Sequence, residues 1–157
     1  MYSKYFLSLE DARKVGDAAL KKAMEHPHRP MVIAVCDAMG ELVYLLKMDG
    51  ARPIFSKMAQ NKIYTAITFG EDTVDITPNL KKDNKVLSDF PDPRFTTVEG
   101  GVCLRAPDGS VIGAVGTSGR VPNIDKYNDL DIALAGADAL GPQPKRDKTH
   151  DMWAKQT

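Results

Sequence analysis

The stretch Met31-Val32-Ile33-Ala34-Val35-Cys36-Asp37-Ala38-Met39-Gly40-Glu41-Leu42-Val43-Tyr44-Leu45-Leu46 holds two apolar runs of strand length around a short polar break. Val32, Ile33 and Val35 are β-branched, and Ala38-Met39-Gly40-Glu41 supplies the turn, so the segment reads as a β-hairpin with strands over Met31–Asp37 and Leu42–Leu46. Upstream, Ser8 and Asp11 stand three apart like a capping box, with Asp in place of the usual Glu or Gln. Ala12, Val15, Ala19 and Ala23 then recur at helical spacing until His26-Pro27-His28-Arg29-Pro30 stops the pattern. Downstream of Asp49-Gly50 a second helix is predicted to begin near Pro53, with Phe55, Ala59, Ile63 and Ala66 as its stripe and Gly70 as its stop.

Residues 71–94 lose periodicity through Lys81-Lys82-Asp83-Asn84-Lys85 and Pro91-Asp92-Pro93, and read as an irregular excursion with room for a helical turn. A second hairpin follows, Val98–Leu104 and Ser110–Thr117, around the turn signal Pro107-Asp108-Gly109. Tyr127, Leu130, Leu134 and Ala137 mark a last helix over Ile124–Leu140, ended by Gly141-Pro142. Tight connections within each strand pair predict an α+β fold, an antiparallel sheet with helices packed on it, in a single domain over residues 1–142. Residues 143–157 read as a polar tail, in which Trp153 marks a subunit contact.

The 157 residues are 43% hydrophobic, and 21 basic side chains balance 21 acidic ones. A chain of this size can bury a core unaided, and zero net charge leaves no cationic excess for phosphates, so nucleic acid is not an expected partner. Two cysteines support neither a disulfide framework nor a four-ligand zinc site; Cys36 and Cys103 lie in apolar strand runs and read as buried thiols. No segment suits a membrane span or a signal peptide, which predicts a cytoplasmic protein with no membrane partner.

Several separated blocks together resemble the GlcG/HbpS-like family, the haem-degrading or haem-binding proteins that include the C-terminal domain of PduO. They are Leu7-Ser8-Leu9-Glu10-Asp11-Ala12, the first hairpin, Lys47-Met48-Asp49-Gly50-Ala51 with Asn61-Lys62-Ile63-Tyr64-Thr65-Ala66, and Glu99-Gly100-Gly101-Val102 with Gly113–Gly119. The resemblance spans about Leu7 to Leu140. It implies a profilin-like fold, homo-oligomers from dimer to octamer, and a ligand pocket between elements near a subunit boundary. It names haem as candidate cofactor. No histidine falls inside the shared blocks, since His26 and His28 lie in a loop and His150 in the tail, so no axial ligand carries over.

Read for chemistry, Lys62 stands beside the apolar stripe, with Met58, Thr65 and Phe69 at helical spacing. A lysine there binds carboxylates, or transfers protons if desolvated; the plain alternative is a snorkelling surface lysine. Asp49 either caps the second helix or orients Lys62 and takes a proton from substrate. Gly113–Gly119 lacks the Lys-Ser/Thr ending of a phosphate loop, but Ser118-Gly119 offers amides and a hydroxyl to an anion, and Gly100-Gly101 does so on the neighbouring strand. Together with Lys62 and Arg120 they would make a site suited to a small carboxylate or to haem propionates. Asp37 reads as structural, His26-x-His28 as a rigid surface turn, and of the methionines only Met48, in the shared turn, counts as a ligand-binding candidate. Two functions lead, with a purely structural or assembly role as a third reading. One is a small-molecule anionic ligand bound without chemistry, with haem the named candidate. The other is a cofactor-free isomerase, tautomerase or lyase of a catabolic pathway, in which Lys62 and Asp49 exchange protons on a hydroxy- or oxo-acid or an aromatic-degradation intermediate.

Overall fold

The computed structural model describes residue 1 and residues 3–143. The elements are α1 (Leu9–Met24), β1 (Val32–Asp37), β2 (Leu42–Lys47), α2 (Pro53–Phe69), α3 (Thr73–Lys82), β3 (Gly101–Arg105), β4 (Val111–Ser118) and α4 (Asp129–Asp138), with a short 3-10 turn at Leu87–Asp89. The strands form one antiparallel sheet in the order β2-β1-β4-β3. The α+β expectation and both hairpins are therefore borne out. Ser8 caps α1 as expected, its hydroxyl accepting from the Asp11 amide at 3.0 Å.

Helices cover both faces. Ile33, Val35, Val102, Leu104 and Val115 point to α1 and α4, where Val15, Ala19, Ile132 and Ala133 complete the larger core. Val32, Ala34, Cys36, Cys103 and Ala114 point the other way, to Ala59, Ile63 and Ala66 of α2. Covering on both sides is why β1 is a continuous apolar run and not an alternating one.

The α2 face is built from small residues, and this sets how close the helix lies. A Cβ on Gly116 would stand 2.5 Å from the Ala59 carbonyl oxygen, and one on Gly101 would stand 2.7 Å from that of Lys62. Only glycine allows the helix backbone to sit this near the strands. Lys62 is thereby carried down to the end of β4.

Residues 71–94 differ from expectation. They contain α3, a helix of 10 residues whose buried side is Thr73, Ile76 and Leu80. Thr73, Val74 and Thr77 are β-branched and Pro78 lies inside the helix, so local propensity hides it. Tertiary contacts override that propensity. The Cys103 amide donates to the Asp72 carboxylate at 2.9 Å and the Gly101 amide to the Thr73 hydroxyl at 3.0 Å. The Arg105 amide donates to the Gln143 side chain at 3.0 Å, so the outer edge of β3 is closed by side chains. The remainder of the segment is clamped to α2: Tyr64 donates to Asp92 at 2.7 Å, and the Arg94 guanidinium lies 3.6 Å from the centre of the Tyr64 ring.

Two bounds also shift. β3 begins at Gly101 and not at Val98, because Gly100 turns the chain at φ +112°. α4 begins at Asp129 and not at Ile124, where Asn128 and Asp131 cap each other reciprocally. Gln143 belongs to the folded domain through its bond to Arg105, while Trp153 and His150 lie outside the described residues.

Candidate functional site

A cleft of about 450 Å³ opens where the ends of α2, β4 and α4 meet the loop after α1. Its floor is Lys62. This side chain is completely buried, and its ammonium donates to the Thr117 carbonyl at 2.7 Å and to the Asp129 carboxylate at 2.8 Å. Asp129 accepts in addition from the Arg120 amide at 2.8 Å, and the Thr117 hydroxyl donates to the Asp129 carbonyl at 2.6 Å. Both charges are thus paired and hydrogen-bonded, as burial demands. Burial pulls the Lys62 pKa down and pushes that of Asp129 up, while their mutual attraction opposes both shifts. Gly100 completes the floor: a Cβ there would lie 2.8 Å from the Asp129 Cβ and 3.1 Å from Lys62 Nζ.

Glu99 lines the same cleft, and its Oε1 is buried without a hydrogen-bond partner among the described residues. The walls combine apolar Pro30, Phe55, Val98, Val121 and Pro122 with His28, Arg29 and Arg52. Arg29 is held by Asp125 at 3.0 Å.

Of the residues singled out from sequence, Lys62, Ser118, Gly119 and Arg120 line the cleft, and Gly100 and Gly101 pack against Lys62. The others lie elsewhere. Asp49 is exposed and outside the cleft lining, and it does not cap α2, whose cap position is Arg52. The acid beside Lys62 is Asp129. Thr65 donates to the Asn61 carbonyl at 2.7 Å and accepts from the Thr96 amide at 3.0 Å, anchoring the 71–94 excursion where it ends. Met48 packs on the larger core. Arg120 is in place, but its guanidinium donates to the carbonyls of Ala23, His26 and Arg29 at 2.9, 2.6 and 3.1 Å. It closes the end of α1 and holds the loop that forms one wall; it is a positioning residue.

Sequence reasoning assigned no role to Asp129 or Glu99 and read His28 as part of a rigid surface turn. His28 does lie in an exposed turn after α1, and that turn folds back so that His28 also lines the cleft. For Asp129 and Glu99 the available signals were the acid opening the last helix and the acid preceding Gly100-Gly101.

The fold and this cleft define a class of protein, α+β domains in which a helix drawn onto the sheet sets a buried lysine–aspartate pair under an open pocket. The chain belongs to the HbpS-like family: residues 7–138 match its model, described as "Haem degrading protein HbpS-like". Protein GlcG of Escherichia coli K12 is 31% identical over 118 residues, which are 75% of this chain and 85% of that protein. The crystal structure of a PduOC–haem complex superposes with a TM-score of 0.74 at 26% identity, covering 87% of this chain and 96% of that one. A double mutant of Streptomyces reticuli HbpS gives 0.74 at 28% identity, covering 90% and 92%. Among the described residues no helix is long and apolar enough to cross a membrane.

Proposed function

We propose that the cleft binds a small anionic ligand and that haem is its leading candidate. The observation that carries this is the donor set of one pocket: the imidazole of His28 beside an apolar wall, with arginines at its margin. These groups suit haem. His28 would supply a nitrogen to the iron, Phe55, Val98 and Val121 would pack against the ring, and Arg52 would pair with a propionate. Haem bound there would contribute an iron that exchanges electrons and binds oxygen. The family match and the PduOC–haem neighbour support the same reading.

Titration of the purified protein with haemin tests it. A saturable Soret shift at one haem per chain is expected, lost or displaced in His28→Ala and retained in Met48→Ala. Absence of a saturable shift in the wild type would overturn haem as the ligand.

A second reading, a cofactor-free proton-transfer enzyme of the isomerase, tautomerase or lyase kind, draws support from the desolvated Lys62. Its proton partner would be Asp129 in place of Asp49. Assembly into homo-oligomers, dimer to octamer, in the cytoplasm forms part of the proposal, and sedimentation velocity reads the stoichiometry.

A further inference from the structure

The lining of the cleft holds two unlike hydrogen-bonding groups. Lys62 carries three N–H donors and directs two of them at Thr117 and Asp129, which leaves a donor beyond those bonds. Glu99 lines the cleft, and its buried Oε1 is an acceptor with no partner among the described residues. Both line the cleft, the Glu99 charge acts on Lys62, and Gly100, the residue after Glu99, lies against Lys62 Nζ. A buried carboxylate oxygen without a donor is costly, and a ligand that brings one relieves that cost.

We infer that this cleft selects a hydroxyl-bearing small carboxylate, with Glu99 as the specificity-determining residue. A hydroxyl both donates and accepts, so it answers Glu99 and Lys62 together. A ketone oxygen only accepts and leaves Glu99 Oε1 unpaired. An ammonium would satisfy Glu99 but would place a second cation against Lys62. The carboxylate of the ligand would face Arg52, exposed at the rim, and its apolar part would rest on Phe55, Val98 and Val121. This inference rests on the cleft being the ligand site and not on haem being the ligand.

Calorimetric titration with mandelate, benzoylformate and phenylacetate tests it, since these share a carboxylate and a ring and differ in carrying a hydroxyl, a ketone or neither. Wild type should bind mandelate about tenfold or more tighter than the other two. Glu99→Gln presents an amide N–H in place of one oxygen, so it should lose that preference and move toward benzoylformate. Glu99→Asp, which keeps the charge and shortens the reach, serves if the Gln variant does not fold, and should weaken mandelate selectively. Equal affinity for all three acids, or a Glu99 variant that shifts all three alike, overturns the inference. If haemin binds through His28 and none of the acids binds, hydroxyl selection fails while the ligand-site reading stands; if neither haemin nor any acid binds, both fall.

Discussion

Lys62 is completely buried and its charge is answered by one carboxylate and one carbonyl. Removing one member of a buried ion pair strands the other, so Lys62→Met should lose about 3–5 kcal/mol in urea denaturation at neutral pH. The loss should shrink in acid. Without its partner Asp129 has a folded-state pKa raised further above the unfolded value of about 4, so the folded form holds a proton that the unfolded form releases, and stability falls as pH rises through that window. A Lys62 substitution is consequently not a clean test of ligand binding, and variants of Glu99 and His28 are the better probes. Cys36 gives a second case with the same sign. Burial pushes its thiol from the ordinary 9.0 up to about 12. Native protein should therefore resist iodoacetamide at Cys36 at pH 8 by mass spectrometry, and stability should decline between about pH 9 and 12 as only the unfolded thiol ionises.

At the scale of elements, the two hairpins and three of the helices were legible because each carries its own signal: a cap, a stripe, a turn triplet or a glycine stop. α3 was not, since its β-branched residues and Pro78 argue locally against a helix, and its packing on β3 and α2 explains its presence. That edge gives a prediction. Asp72→Ala leaves the Cys103 amide without its carboxylate, and should lower stability by about 1–3 kcal/mol in urea denaturation, with faster hydrogen exchange at Cys103 and Gly101 than at the central β4 amides.

For the whole molecule, the decisive contact is between segments nearly a hundred positions apart. Arg120 follows β4, yet its guanidinium gathers the carbonyls that end α1 and begin the 26–30 loop. Arg120→Met should raise hydrogen exchange over residues 24–30 and weaken haemin binding, although the guanidinium is not assigned any contact with the ligand. Unchanged exchange in that loop would show that Pro27 and Pro30 suffice to hold it.

Read alone, the chain carries its fold class, both strand pairs, the membership blocks and the place of Lys62 beside the stripe of α2, because periodicity, caps and turn residues act over a few positions and are written where they act. The partner of Lys62, the orphaned Glu99 oxygen and the return of His28 to the cleft were decided by tertiary structure. Asp129 is 67 residues from Lys62. No local pattern pairs them, and they meet only because Gly101 and Gly116 let α2 settle onto the sheet until the lysine reaches past the end of β4.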